Sequence, residues 1–124
     1  MFDLGIENMN VLIPVTTDNR PETVAVMVGN AAGTFERCYV VGATITPALL
    51  NGGRYGVGGF VGYVHDKATF KDCYVYGSSF RNDHDSYVGG FFGSTTSTEG
   101  STMKFENCYA GDITLLAVSR NDRD

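Results

Sequence analysis

The chain has 124 residues, 43% of them hydrophobic, and 9 Lys and Arg against 14 Asp and Glu leave a net charge of −5. That is one domain's worth of chain, apolar enough to build a core and only mildly acidic. Cations scattered singly give no footprint for nucleic acid or an anionic membrane, no run approaches ~18 apolar residues, and 16 glycines beside 3 prolines without a Gly-X-Y period exclude collagen and disorder.

Met1-Phe2-Asp3-Leu4-Gly5 has neither a basic nor an apolar region, so no signal peptide is expected in these residues. Ile6-Glu7-Asn8-Met9-Asn10-Val11 then opens a phrase that returns three times: Thr34-Phe35-Glu36-Arg37-Cys38-Tyr39-Val40, Thr69-Phe70-Lys71-Asp72-Cys73-Tyr74-Val75 and Lys104-Phe105-Glu106-Asn107-Cys108-Tyr109-Ala110. The three full copies align without a gap, their cysteines 35 and 35 residues apart, and Met9 stands in the Cys position of the degenerate first copy. A period of this size marks a repeat architecture. Before each full copy comes a short apolar run: Val24-Ala25-Val26-Met27-Val28-Gly29, Val57-Gly58-Gly59-Phe60-Val61-Gly62 and Val88-Gly89-Gly90-Phe91-Phe92-Gly93. These runs have strand length, and no stretch of 3.6-residue period is long enough for a helix. The connectors vary instead, at 30–33, 63–68 and 94–103 on one side and at 46–56 and 81–86 on the other. Constant strands with variable connectors predict an all-β fold, a parallel β-helix or β-solenoid of about four coils with one ~35-residue repeat per coil. A single domain is expected over 1–124, with coils near 1–23 (partial), 24–56, 57–87 and 88–124.

Parity refines the second strand. Phe70 and Cys73 are three apart and would face opposite sides of an unbroken pleat, yet both are of buried type. A corner between them restores both to the inside. The residue before Cys is Asn8, Arg37, Asp72 or Asn107, and Asn and Asp tolerate the left-handed backbone of a tight corner. Gly42, Gly77 and Gly111 mark a second bend, with Gly111 one residue early.

Gly58-Gly59-Phe60-Val61-Gly62 followed by Phe70-Lys71-Asp72-Cys73-Tyr74-Val75-Tyr76-Gly77 resembles the GLUG repeat, as do Gly90-Phe91-Phe92-Gly93 and Asn107-Cys108-Tyr109-Ala110. The likeness runs over roughly residues 6 to 118, with Phe or Met for Leu, Phe92 for a small residue, and Ala25 and Val26 for both leading glycines of the earlier copy. The resemblance implies a non-catalytic module of a large bacterial surface or secreted protein, and hence an extracellular or cell-surface location.

The three cysteines would stack in a line about 4.8 Å apart, which suits neither tetrahedral zinc nor, with parallel Cβ vectors, a disulfide. An inward structural ladder of Met9, Cys38, Cys73 and Cys108 beside Phe35, Phe70 and Phe105 is expected, with no metal and no cofactor. Tyr39, Tyr74 and Tyr109 should form an outward stripe, continued by Asn10, that either stacks on itself or docks a glycan or a protein. In the charged column Lys71 falls between Glu36 and Glu106, with Glu7 below, and Arg37 lies beside Asp72, so pairing explains these charges without a substrate. Asn82, Asp83 and Asp85 offer oxygens for Ca²⁺ but lack the Gly and the distal Glu of an EF-hand loop, and His65-Asp66 has no nucleophile motif beside it.

The leading expectation is therefore a structural and adhesive module that meets a host or neighbouring-cell protein or glycan, without nucleic acid or membrane insertion. A glycan-binding accessory module using the Tyr stripe comes second, and a remnant of a polysaccharide-active enzyme third. Open coil ends predict either a slice of a longer protein or end-to-end self-association.

Overall fold

The computed structural model describes residues 1–13, 22–47, 55–82, 88–95 and 103–117. Its elements follow one rhythm. The N-terminal part holds β1 (Gly5–Glu7), β2 (Asn10–Ile13), β3 (Glu22–Ala25) and β4 (Val28–Ala31). Next come β5 (Thr34–Glu36), β6 (Tyr39–Val41), β7 (Thr44–Pro47), β8 (Tyr55–Gly58) and β9 (Val61–Val64). The same five steps recur as β10 (Thr69–Lys71), β11 (Tyr74–Tyr76), β12 (Ser79–Asn82), β13 (Val88–Gly89) and β14 (Phe92–Thr95), and the chain closes through β15 (Lys104–Glu106), β16 (Tyr109–Gly111) and β17 (Thr114–Ala117).

Every named strand pairs with its equivalent in a neighbouring turn, the middle ones with a partner on each side, and every pairing between named strands is parallel. The five resulting columns are β5-β10-β15, β1-β6-β11-β16, β2-β7-β12-β17, β3-β8-β13 and β4-β9-β14. The fold is a parallel β-solenoid. Strands this short are marginal alone, and the stacking of like on like lets each turn bury its inner side chains against the next.

The core is the inside of the coil: Phe60, Phe70, Phe80, Ile45, Val40, Val57, Val61, Val64 and Val75 are fully buried. Phenylalanines fill it in stacks. Phe35 lies 5.1 Å from Phe70 and Phe70 5.0 Å from Phe105, all nearly parallel, while Phe60 meets Phe35 and Phe70 edge-on at 6.3 and 5.9 Å. Offset stacks and edge-to-face pairs are the two favoured geometries for such rings.

Two corners explain the parity of the Phe and Cys positions. Asp3, Arg37, Asp72 and Asn107 share one corner with φ of 56°, 54°, 54° and 51°, and Asn8, Gly42, Gly77 and Asp112 share the next with 56°, 66°, 61° and 49°. All eight are left-handed, a conformation that costs most side chains about 1–2 kcal/mol and Asn, Asp and Gly less. The corners keep their hydrogen bonds. The N–H of Asp3, Arg37 and Asp72 donates to Glu36, Lys71 and Glu106 of the following turn, and the N–H of Asn8, Gly42 and Gly77 to Val41, Tyr76 and Gly111, all at 2.9–3.1 Å.

Three expectations change. Each Gly-rich run is two strands, not one: the chain turns at Gly59-Phe60, between β8 and β9, and at the equivalent place between β13 and β14. A Cβ on Gly58 would lie 1.8 Å from the Val61 carbonyl oxygen, so the corner is too tight for a side chain there. The second bend of the last turn belongs to Asp112, while Gly111 pairs with Tyr76 as the last residue of β16. The first turn also sits in another register: Gly5 faces Tyr39, Ile6 faces Val40 and Asn10 faces Thr44, an offset of 34 residues.

That register moves Met9. It belongs to the Ala43 column at the second corner and is 40% exposed, and Leu4 takes the position below Cys38. Gly5 lies beneath Tyr39 where Asn10 was expected, and Glu7 faces Val41 where Glu36 was expected. The physical reason is the Tyr39 ring, which leans onto Gly5 so closely that an added Cβ there would fall among its atoms. A phrase match between Asn8-Met9 and Asn107-Cys108 cannot register that requirement.

Candidate functional site

The residues with chemistry in them lie in columns on the two sides of the first corner. On the inside, Cys38 and Cys73 are fully buried, Cys108 is half-buried in the last turn, and all three are free thiols. Each thiol lies between two backbone carbonyls. Cys73 Sγ is 3.3 Å from the Lys71 oxygen and 3.5 Å from the Phe35 oxygen, and Cys108 Sγ is 3.4 Å from both the Glu106 and Phe70 oxygens. Cys38 approaches the Glu36 and Met1 oxygens in the same way, at 3.4 and 3.7 Å. The carbonyls of Glu36, Lys71 and Glu106 are those that already accept the corner N–H of the turn below. The thiol therefore occupies a second lone pair at a strained corner, a donor role that a small hydrophobe cannot fill. Burial pushes the Cys73 thiol up to about 11, assisted by the neighbouring Cys108 and Cys38 and partly opposed by hydrogen bonding with the Cys38 and Lys71 backbone. It is the opposite of an activated nucleophile.

The outside of the same corner carries the tyrosines. Tyr39 and Tyr74 stack at 5.2 Å and 8°, and Tyr74 and Tyr109 at 5.1 Å and 3°. Ring faces inside this column are covered by one another, and the lower face of Tyr39 is covered by Gly5. A sugar ring docking on an aromatic needs an open face. Among the described residues of this column, only Tyr109, 54% exposed, offers one on its outer side. The Tyr39 hydroxyl donates to Glu7 at 3.1 Å, and that carboxylate holds its phenol above the usual range.

Charges line the corner as a ladder. Lys71 faces Glu36 on one side and Glu106 on the other in strict register, and Phe2 takes the position below Glu36. Arg37 turns toward Asp3 and Glu36 where Asp72 was expected, with Nη2 3.1 Å from Asp3 and Nη1 2.6 Å from Glu36. Its hydrogen bond holds the Asp3 carboxyl below the usual range. Asp72 instead accepts from the Asn107 amide at 3.1 Å. Among the described residues no group of three His, Cys, Asp or Glu side chains converges as a metal site would. Asp83 and Asp85 lie outside the described residues, and of Asn82 the structure describes its place as the last residue of β12. His65, in the connector after β9, meets Tyr63 edge-on at 5.0 Å, and its backbone N–H donates to the Ala31 carbonyl.

Two features escaped the sequence. Ser78 is buried just past the second corner, where its hydroxyl donates to the Tyr76 carbonyl at 3.1 Å and accepts from the Ala43 N–H at 3.0 Å. Nothing in its phrase distinguishes it from a surface serine. The other is a cavity of about 250 Å³ lined by Phe91, Phe92, Phe105, Cys108, Tyr109 and Ala110, at the C-terminal end of the coil.

No family model matches the sequence, and no curated protein matches it.

Proposed function

We propose that the chain is a non-catalytic structural and adhesive module, a stiff spacer that carries its connectors outward along a cell-surface or secreted protein. The carrying observation is that the Cys, Tyr and Lys side chains at the first corner of the middle turn are already engaged within the coil. The Cys73 thiol lies against two carbonyls, Tyr74 is stacked on both faces, and Lys71 faces a carboxylate-bearing residue in each neighbouring turn. What supports the compartment is the likeness to GLUG repeats, carried by Gly59-Phe60-Val61-Gly62 and Asn107-Cys108-Tyr109-Ala110.

Tandem copies pulled between their ends test the spacer role. Turns should peel one by one, each releasing about 120 Å of contour for its 35 residues at ~3.4 Å per residue. Unfolding in one featureless event at negligible force would sink it. An enzyme remnant makes the opposite prediction in another assay: release of reducing ends from polysaccharides by the purified chain would replace the spacer reading outright.

A glycan-binding accessory module is the second reading, favoured by Tyr109 and Tyr76, 54% and 48% exposed. Glycan-array binding that is lost in Tyr109→Ala but kept in Tyr39→Ala would promote it, because only the former removes an open ring face.

A further inference from the structure

The outer face of β1, β6 and β11 holds an arrangement that stacking alone does not require. In β1 the outward residues are Gly5 and Glu7, while Ile6 between them faces Val40 and packs on the core. Because Gly5 has no side chain, the Tyr39 ring lies down across it, and its hydroxyl donates to Glu7 Oε1 at 3.1 Å. Tyr74 pairs with Tyr39 in register, ring on ring at 5.2 Å and 8°, and both residues are half-buried, open to solvent on the outside. Thiols compete with phenols for oxidants, and here they are withdrawn. Cys38 and Cys73 directly precede the two tyrosines yet are fully buried inside the coil, and burial keeps the Cys73 thiol neutral.

We infer that Tyr39 and Tyr74 form an oxidative cross-linking site, at which a one-electron oxidant of the haem-peroxidase class, working with hydrogen peroxide, joins the two rings into dityrosine. Each phenol gives up one electron and one proton, the Tyr39 proton passing along its hydrogen bond to the Glu7 carboxylate and the Tyr74 proton to water. The two phenoxyls then couple between ring carbons ortho to the oxygens, forming one C–C bond. The hydrogens on those carbons leave as protons while the oxygens take protons back, which restores two phenols. Two electrons and two protons leave in all, and they reduce one hydrogen peroxide to two waters.

The fold meets the two conditions of this coupling. In an unfolded chain the phenols are 74 − 39 = 35 residues apart and must find one another, whereas the pairing of β6 with β11 holds them at stacking distance. The carboxylate takes the phenolic proton as the electron leaves, so no cationic ring has to form. The Tyr74 and Tyr109 rings stack as closely, at 5.1 Å and 3°, but Glu7 lies at the Tyr39 end, and oxidation starts there. Among the described residues a radical on Tyr39 has one stacked tyrosine beside it, Tyr74, because Gly5 occupies the other side of the ring. The product ties β6 to β11 by a bond that does not depend on their ladder of hydrogen bonds.

The test treats the full chain, at high dilution, with a haem peroxidase and hydrogen peroxide, then digests it and identifies joined peptides by mass. A single chain two hydrogens lighter is expected, fluorescent as dityrosine, with the peptides of Tyr39 and Tyr74 linked. Tyr39→Phe and Tyr74→Phe keep a ring in the stack and should each abolish that product. Glu7→Gln should slow its formation roughly threefold or more, and Glu7→Asp should recover part of the rate, since Asp can accept a proton and Gln cannot. In urea the preference for this pair over the other five of the 7 tyrosines should vanish. A dominant link between Tyr74 and Tyr109, links between chains alone, the same pairing in the unfolded chain, or no dityrosine where free tyrosine couples would each overturn the proposal. An unchanged rate in Glu7→Gln would remove Glu7 as the proton acceptor and with it the reason for oxidation to begin at Tyr39.

Discussion

The middle and last turns carry the same phrase and differ in what surrounds it. Phe70 is fully buried and Phe105, its partner in register, is 43% exposed; Cys73 and Val75 are likewise fully buried, while Cys108 is half-buried and Ala110 open. Neither the residues nor the backbone angles account for this, since Asp72 and Asn107 hold the same corner at φ 54° and 51°. Among the described residues, the difference is a neighbour on one side against neighbours on both. Local sequence shapes the turn, and stacking makes it a core.

Five measurements press on that contrast. Phe70→Ala should cost roughly 3–5 kcal/mol in urea unfolding, the range for deleting a buried aromatic ring, and Phe105→Ala less than half of that. Equal losses would mean that the last turn is packed as tightly as the middle one. Gly58→Ala and Gly89→Ala should behave in the contrary way, each costing about 1–3 kcal/mol, because the intruding methyl meets a carbonyl of its own corner at 1.8 Å in both turns. A wide gap between the two would move the cost from the corner to the stacking. Ala25 occupies this column in the first turn, where Val26-Met27 replaces Gly59-Phe60, so the close approach belongs to the Gly-Gly-Phe corner.

The third measurement uses the thiols. At pH 8 a disulfide reagent should label Cys108 first and Cys73 last, and similar rates for both would contradict the packing difference. The Cys73 thiol is raised from 9.0 to about 11, so the fold favours its neutral form. The associated stability is complete below the unfolded value and is lost as pH climbs from about 9 toward 11. Denaturation midpoints across that window should fall further for the native chain than for Cys73→Ala. The smallest effect is expected at Arg37→Ala. The Asp3 carboxyl should titrate closer to its ordinary value by NMR while the thermal midpoint stays within error, since both partners of this pair are well exposed.

Much of the coil was legible in the sequence because a parallel stack sets like residues on like. The 35-residue spacing of the cysteines is the register of three columns, and the parity conflict between Phe70 and Cys73 pointed to a left-handed corner. Arg37 shows where residue preference runs out: its type argues against that backbone, yet it follows the column and gains an N–H bond to Lys71. The first turn departs from the sequence reading because the phrase at Asn8-Met9 imitates a repeat at the wrong offset while Leu4 and Gly5 hold the actual columns. The site was less legible than the fold. That the Cys thiols serve carbonyls and that the Tyr faces close on one another both depend on distances between turns, which no single phrase contains.

The pairing offsets carry a practical consequence. Tyr39, Tyr74 and Tyr109 face one another at 35-residue intervals, whereas Val28 faces Val61 and Val61 faces Phe92 at intervals of 33 and 31. Length is therefore gained and lost only at the two junctions between the strand blocks, and the ladders on either side do not register the change. A foreign peptide inserted between β12 and β13 should leave every column aligned, and inserts in successive turns should start from strand ends about 4.8 Å apart. The molecule can be used as a rail with two rows of attachment points, its spacing set by the backbone and its cargo left open.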